Sequence, residues 1–160
     1  MIATSSPSGT RAVGAGLARV LRPGDIVLLV GPLGAGKTTF VQGLVSELGG
    51  DEPVTSPTFT LVHGYRTTPP VTHIDLWRLE HLQEVVDLAL DEVLDEGGAV
   101  VAEWGDAADP LFGDDALVVR IARGPGEDER VIELEPRGPS WEERAASLAA
   151  SLRPGSAAGG

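Results

Sequence analysis

Cysteine is absent from this 160-residue chain, which excludes disulfide bonds and thiolate metal sites. The sequence also lacks an apolar run near the length that crosses a bilayer, and residues 1–7 have neither the basic start nor the apolar stretch of a signal peptide. We therefore expect a cytoplasmic protein. The length suits one domain over residues 1–153, followed by a disordered tail over residues 154–160.

Lysine is almost as scarce as cysteine. Of the 12 basic residues, all are arginine except Lys37, and no run of them forms a basic patch. The 24 acidic residues give a formal net charge of -12, a surface that repels nucleic-acid phosphates. We therefore expect that this chain alone does not bind nucleic acid tightly.

What the sequence does contain is an alternation of strand-like and helix-like segments. Residues 26–30 form an unbroken, partly β-branched apolar run, which is typical of a strand buried on both faces. Further strands are predicted over residues 59–65, 71–76, 99–102, 117–122 and 130–134, and helices over residues 12–21 (with Ser8 or Thr10 as the N-cap), 38–48, 82–94 and 141–152. This order predicts an α/β fold with a largely parallel sheet flanked by helices, and a C-terminal antiparallel hairpin around residues 124–126.

The strongest motif is a glycine-rich loop between the first buried strand and the next helix. Residues 31–38 read Gly-Pro-Leu-Gly-Ala-Gly-Lys-Thr and satisfy the pattern GxxxxGK[ST] in full. Glycines let such a loop wrap around phosphate oxygens, so that its backbone N–H groups and the following helix N-terminus bind the anion. We expect a P-loop NTPase-like fold that binds ATP and Mg²⁺. The nucleotide-binding candidates are Gly31, Leu33, Gly34, Ala35, Gly36, Lys37, Thr38 and Thr39, with Lys37 on the β- and γ-phosphates and the Thr38 hydroxyl on the metal.

A P-loop also needs an acidic partner at the end of another strand, to hold magnesium directly or through water. Glu103 follows the predicted strand 99–102, and Asp75 follows residues 71–74. Ligands gather at the carboxyl ends of parallel strands, which favours both acids over an ordinary solvated carboxylate. Spacing alone does not distinguish which of the two serves the metal.

The hydroxyl-rich segment 55–60 allows two interpretations that the residues alone leave open. It is either a turn that leads into a strand or a switch loop in which a threonine such as Thr58 senses the γ-phosphate. The three histidines (His63, His73 and His81) do not have the spacing of a zinc site. Trp77 and Trp104 are expected to pack rather than to take part in chemistry.

Four segments together resemble the TsaE family of bacterial ATPases, which act in making threonylcarbamoyladenosine on tRNA. They are residues 31–39, the Ser-Pro-Thr-Phe-Thr-Leu-Val of residues 56–62, the His-Ile-Asp-Leu-Trp-Arg of residues 73–78 and the Glu-Trp-Gly of residues 103–105. The similarity runs from about residue 10 to about residue 134. One departure is Trp77, which stands where the family often has tyrosine.

The resemblance implies an accessory subunit that works with TsaB and TsaD, in which ATP binding and hydrolysis support repeated rounds of transfer while TsaD carries out the transfer itself. It implies that Lys37 and Thr38 hold phosphates and magnesium, and that Glu103 is the Walker B acid on the metal. Asp75 corresponds to a second essential carboxylate near the γ-phosphate. Thr58 falls in the switch-like loop.

Other classes of protein remain as alternatives. A small-molecule kinase would need an acceptor pocket and usually a lid with an arginine, for which Arg66 and Arg78 are the nearby candidates. A GTPase would need an NKxD-type guanine reader, which a chain with its single lysine at position 37 cannot supply. A nucleotide-gated interaction module without turnover is the non-enzyme alternative. Because neither arginine has the spacing of an arginine finger, we expect weak hydrolysis alone and stimulation by partners, with residues 55–60 and helix 82–94 as the responsive surface.

Overall fold

The computed structural model describes residues 1–56, 62–76, 87, 90–93, 95–103 and 112–153. Its strands are β1 (Ile2–Thr4), β2 (Ile26–Val30), β3 (Val62–Tyr65), β4 (Val71–Asp75), β5 (Ala99–Glu103), β6 (Ala116–Arg123) and β7 (Arg130–Arg137). Its named helices are α1 (Pro7–Ala18), α2 (Lys37–Glu47), α3 (Pro139–Glu143) and α4 (Ala145–Ser151). Parts of the predicted strand 59–65 and helix 82–94, and the expected tail, lie outside the described residues.

All seven strands form one sheet in the order β1-β7-β6-β2-β5-β4-β3. The four adjacent strands β6, β2, β5 and β4 run parallel to one another, with β2 at the centre of the sheet. The edge pairs β1–β7, β6–β7 and β3–β4 are antiparallel. The predicted α/β fold with a largely parallel sheet and a C-terminal hairpin is therefore confirmed.

The sheet is covered on both faces, which explains the continuous apolar run in β2. Val27 and Leu29 point to a core shared with α1 and α2, whereas Leu28 points to a second core on the opposite face. Val93, from the helical residues 90–93, packs into this second core. Among the described residues, no helix is both long and apolar enough to cross a membrane.

The first helix begins earlier than the sequence predicted, and the proposed caps were wrong. Ser6 is the N-cap, and its hydroxyl accepts a hydrogen bond from the Gly9 N–H at 3.1 Å. Pro7 follows as the first helical residue, where its missing N–H has no helical partner to lose. Ser8 and Thr10 are therefore inside α1, and Thr10 instead bonds to Thr4 of β1, a strand that was not predicted.

The predicted closing helix 141–152 is two helices separated at Arg144. The Arg144 backbone is near φ −95° and ψ 1°, and its guanidinium forms two hydrogen bonds to the Asp25 carboxylate, at 2.6 and 2.8 Å. The same guanidinium donates to the Val20 carbonyl at 2.8 Å and stacks 4.1 Å above the Trp141 ring. This buried pair fixes the C-terminal helices against the segment that leads into β2. Sequence periodicity could not indicate a partner 119 residues away.

Candidate functional site

The glycine-rich loop joins the central strand β2 to the start of α2, as predicted. Gly36 is the N-cap of α2 and has φ 108°, a left-handed conformation that residues with a side chain rarely adopt. At Gly31 a Cβ would collide with the Ile121 carbonyl of β6. No described side chain caps the start of α2, so its first N–H groups are available to an anion. The loop thus has the conformation that phosphate binding requires.

Lys37 closes back onto its own loop in this structure. Its side chain is almost fully buried, and Nζ donates to the carbonyls of Gly31 at 2.5 Å and Pro32 at 3.1 Å. These contacts stabilise the ammonium in the absence of an anion. A phosphate that enters the loop would compete with them for Nζ. Of the other nucleotide-binding candidates, Thr38 and Thr39 are half-buried, and Leu33 is exposed at the loop tip.

Two arginines of the β6–β7 hairpin contact the outside of the loop, and sequence reasoning missed both. Arg130 donates from Nε to the Ala35 carbonyl at 2.8 Å and from Nη2 to the Gly34 carbonyl at 3.5 Å. Arg123 donates to the Leu33 carbonyl at 3.3 Å. In a trans peptide the C=O and the next N–H point in opposite directions. Arginines that hold the carbonyls of Leu33 and Ala35 therefore direct the N–H groups of Gly34 and Gly36 to the opposite side of the chain. The Ala35 N–H donates to the Pro32 carbonyl at 3.0 Å.

Arg130 also lines a small cavity beside the loop, with a volume of about 30 Å³. It is bounded by Pro7, Thr10, Gly36, Thr39, Asp128 and Arg130. The cavity joins the N-terminus of α1, the N-terminus of α2 and the hairpin at one point. Side chains from three separate elements thus surround the helix end at which an anion would bind.

The two candidate acids lie next to each other at the carboxyl ends of β4 and β5. The Cα atoms of Asp75 and Glu103 are partners in the sheet register, and both side chains are buried, with residue exposures of 3% and 2%. Glu103 is in turn the partner of Leu29, two residues before the loop begins at Gly31. The structure therefore brings both acids to the edge of the sheet from which the glycine-rich loop emerges.

Glu103 is held by two side chains. The imidazole of His73, fully buried on β4, contacts Oε1 through Nε2 at 3.0 Å, and the Ser56 hydroxyl donates to Oε2 at 3.4 Å. The nearby Tyr65 ring lies 6.2 Å from the His73 ring. Burial raises the pKa of the Tyr65 hydroxyl above its ordinary value, and the charges of the Glu52 and Glu103 carboxylates raise it further. A backbone hydrogen bond with Thr55 lowers the pKa in part. Sequence reasoning treated His73 as part of a motif and gave it no role.

Magnesium is the metal that this donor set fits. Among the described residues, no cluster of three or more His, Cys, Asp or Glu could hold a metal ion by itself. Mg²⁺ prefers oxygen ligands and is usually held by one or two carboxylates together with substrate phosphates. The oxygens of Thr38, Asp75 and Glu103 therefore suit Mg²⁺ bound together with a nucleotide, and do not suit a metal held by protein groups alone.

Arg66 does not reach this edge of the sheet. It follows Tyr65, the partner of Val71 at the start of β4, whereas Asp75 is at the opposite end of that strand. Four residues of strand separate the two ends, roughly 13 Å. Thr58, Arg78, Trp77 and Trp104 lie outside the described residues. One of the two arginine candidates is thus remote from the acids.

A largely parallel sheet with a GxxxxGK[ST] loop between its central strand and a helix defines a P-loop NTPase-like protein. The crystal structure of YdiB from Bacillus subtilis has the same fold, with a TM-score of 0.78, 31% identity and 92% of each chain covered. The family model described as threonylcarbamoyl adenosine biosynthesis protein TsaE matches residues 4–132, and the chain belongs to this TsaE family.

Curated relatives extend the match over most of the chain. The tRNA threonylcarbamoyladenosine biosynthesis protein TsaE of Bacillus subtilis is 37% identical over 140 residues, which are 87% of each chain. The protein of the same name from Streptomyces coelicolor is 41% identical over 138 residues, which are 82% of this chain and 93% of the relative. The resemblance inferred from four short segments is confirmed.

Proposed function

We propose that this chain is a magnesium-dependent ATPase that serves as an accessory subunit in the threonylcarbamoyl modification of tRNA adenosine, with TsaB- and TsaD-like partners. The observation that carries the ATPase assignment is the glycine-rich loop at the edge of the sheet where Asp75 and Glu103 lie side by side. The names of the TsaE relatives support the biological role. The net charge of -12 agrees with a partner, rather than this chain, holding the tRNA.

Phosphate binding is assigned to the loop, with Lys37 exchanging its bonds to the Gly31 and Pro32 carbonyls for bonds to the β- and γ-phosphates. An ammonium–phosphate contact is a charge-assisted hydrogen bond, and it is stronger than the carbonyl contacts that it replaces. Backbone N–H groups of the glycine-rich loop and of the N-terminus of α2 bind the remaining phosphate oxygens. Thr39 and the half-buried hydroxyl of Thr38 complete the cradle.

Magnesium is assigned to Thr38 and Glu103, and when bound it would neutralise charge that develops on the phosphates. Asp75 is assigned to the γ-phosphate, where its carboxylate would orient the attacking water by accepting a hydrogen bond from it. The water oxygen then forms the new bond to the γ-phosphorus, and one water proton moves to another oxygen of the same phosphate. The bond between that phosphorus and the β–γ bridging oxygen breaks, and ADP leaves with its electron pair. Thr58, in the switch-like segment 55–60, is proposed to respond to the γ-phosphate.

The proposal includes slow hydrolysis by the isolated chain. Arg66 lies near the start of β4, whereas the acids lie at its end. Arg123 and Arg130 donate hydrogen bonds to loop carbonyls. This leaves Arg78 as the in-chain candidate for stabilising the charge on the transferring phosphate. An arginine supplied by a partner can raise the rate about 10³–10⁵-fold. We propose residues 1–153 as a single ATPase domain in the cytoplasm, with residues 55–60 and 82–94 as the surface that responds to the partners.

Phosphate release measured for the chain alone, with a TsaB–TsaD-like complex and with tRNA tests this proposal. We expect a low rate alone and a clear increase with partners, and we expect Lys37→Ala to abolish both. The number of threonylcarbamoyladenosine nucleosides formed by each partner complex should exceed one only when this chain and ATP are present. Fast hydrolysis by the isolated chain, lost in Arg78→Ala and indifferent to partners, would contradict the partner-dependent mechanism. Binding of ATP without turnover in any setting would identify a nucleotide-gated module instead.

A further inference from the structure

Of the imidazoles in the described residues, that of His73 is fully buried and contacts a candidate metal ligand, Glu103. Its residue exposure is 0%, and its Nε2 is 3.0 Å from Glu103 Oε1. A buried polar ring is costly unless its hydrogen bonds are made. An apolar side chain would fill the same space in the core without this cost, so the contact of His73 with a carboxylate needs an explanation.

The contact follows from the register of two parallel strands. His73 pairs with Val101 on β5, and Glu103 lies two residues further along the same face, beside Asp75. Diagonal neighbours of this kind are about 7–8 Å apart at their backbones, within reach of two long side chains. The ring therefore meets the carboxylate from behind, on the side away from the end of the strand.

The direction of the hydrogen bond can be assigned from its partners. A carboxylate only accepts, so Nε2 must carry the proton and donate to Oε1. Within the described residues, Nδ1 has no hydrogen-bond partner and is buried. If Nδ1 carries no proton, the group without a partner is an acceptor. If Nδ1 carried a proton, an N–H donor would be buried without a partner. A ring with a proton on Nε2 and none on Nδ1 satisfies both observations.

This bond makes the two oxygens of Glu103 unequal. Oε1 is tied to a buried ring, whereas the contact of Oε2 within the described part of the chain is the long 3.4 Å hydrogen bond from the Ser56 hydroxyl. A glutamate that is not held in this way must give up rotamer freedom when it binds in one geometry. Hydrogen bonds of this kind to metal-ligating groups commonly set their orientation, and removing them costs about 10–100-fold in metal affinity.

We propose that His73 is a positioning residue, which fixes the Glu103 carboxylate so that Oε2 faces the magnesium that accompanies ATP. The inference rests on the proposed function, because it takes Glu103 as the metal ligand. It gives a role to the first residue of the segment 73–78, which otherwise supplies the site only through Asp75.

The test is the magnesium coupling of ATP binding, measured by calorimetry on the full chain. The affinity for ATP is measured with Mg²⁺ and with a chelator, and the ratio of the two is the coupling factor. His73→Leu removes the donor and keeps an apolar side chain in the core, while His73→Gln keeps an N–H donor near the position of Nε2. His63→Leu is the matched control, because His63 pairs with His73 across β3 and β4 but contacts Glu52.

We expect His73→Leu to lower the coupling factor about 10–100-fold while ATP binding with the chelator is unchanged. His73→Gln should restore most of the coupling, and His63→Leu should leave it as in the wild type. If His73→Leu does not fold, His73→Asn replaces it, since its shorter amide cannot reach Oε1. Wild-type coupling in His73→Leu, with coupling lost in Glu103→Gln, would overturn the inference alone. No coupling in the wild-type chain would overturn the metal assignment of Glu103, and this inference with it.

Discussion

Asp75 and Glu103 end two adjacent parallel strands, with their Cα atoms paired in the sheet and both side chains almost fully buried. Two carboxylates this close repel each other when both are charged, and burial adds to the cost. His73 and Ser56 contact Glu103, which gives that acid a fixed orientation. The two acids are therefore neighbours, Glu103 has a fixed orientation, and we expect the two to perform different tasks.

Glu103→Gln and Asp75→Asn should separate those tasks. Glu103→Gln removes the charge on the proposed metal ligand, so the magnesium dependence of ATP binding should weaken. Asp75→Asn should preserve most of the binding and suppress phosphate release, because its proposed partner is the attacking water. Calorimetry and phosphate release on both variants check the division. Equal and strong loss of magnesium-dependent binding in the two variants would show that the roles are not divided in this way.

Arg130 should support ATP affinity from outside the site. Arg130→Leu removes the hydrogen bonds to the Ala35 and Gly34 carbonyls, each contributing about 0.5–1.5 kcal/mol. We expect roughly a tenfold loss of affinity, because the loop is less fixed before ATP binds. Arg120→Leu is the control, because it removes the same charge from the neighbouring strand β6. Arg120 forms an ion pair with Glu135 at 3.7 Å. The same loss of affinity in both variants would trace the effect to charge and not to the loop.

The buried Asp25–Arg144 pair should dominate the attachment of the C-terminal helices. Arg144→Met leaves the Asp25 carboxylate buried and uncompensated, which typically costs about 3–5 kcal/mol in the free energy of unfolding. Replacing Asp25 by leucine as well should recover part of the loss, though not the bond that Asp25 accepts from the Arg22 N–H. Urea unfolding measures both variants. Arg19→Ala, which breaks an exposed pair with Glu47, should cost at most about 1 kcal/mol. Equal losses of stability in Arg144→Met and Arg19→Ala would show that burial does not strengthen the Asp25–Arg144 pair.

Tyr65 should make the protein less stable in strong alkali. Its folded pKa is raised above the ordinary value of 10.0, chiefly by burial. Below 10.0 the hydroxyl is neutral in both states and adds no pH dependence. Between 10.0 and the folded pKa, the hydroxyl ionises in the unfolded chain but not in the folded one. The free energy of unfolding therefore falls as pH rises through this range. Tyr65 is the single tyrosine, so tyrosinate absorbance follows it alone. Titration at or below the ordinary value, or equally steep pH dependence in Tyr65→Phe, would contradict the prediction.

The fold could be predicted where local pattern decides the structure. The apolar run of β2 and the glycine-rich loop each carry their own signal, and Asp75 and Glu103 were both expected at the carboxyl ends of strands. The predicted caps of α1 were wrong because Pro7 is favoured at the first helical position, which makes the preceding Ser6 the N-cap and places the two later hydroxyls inside the helix. The break at Arg144 and the contacts of Arg130 depend on partners more than 90 residues away, which periodicity cannot indicate.

His73 is an intermediate case. The sequence showed a histidine two residues before a candidate acid, and strand periodicity places both on one face. What it could not show is the register between β4 and β5, which sets the ring beside Glu103 rather than beside another residue. Register depends on the whole sheet, so this part of the site required the structure.

The most direct measurement of the central claim is calorimetric titration of ATP into the chain and into Lys37→Ala, each with Mg²⁺. Lys37 is the single lysine, and its proposed contacts with the β- and γ-phosphates contribute roughly 1.5–3 kcal/mol each. Arg19→Ala removes one positive charge away from the loop and serves as the control. We expect that Lys37→Ala stays folded and loses at least about tenfold in affinity, while Arg19→Ala binds as the wild type does. Unchanged ATP affinity in folded Lys37→Ala would contradict the assignment of residues 31–39 as the nucleotide site.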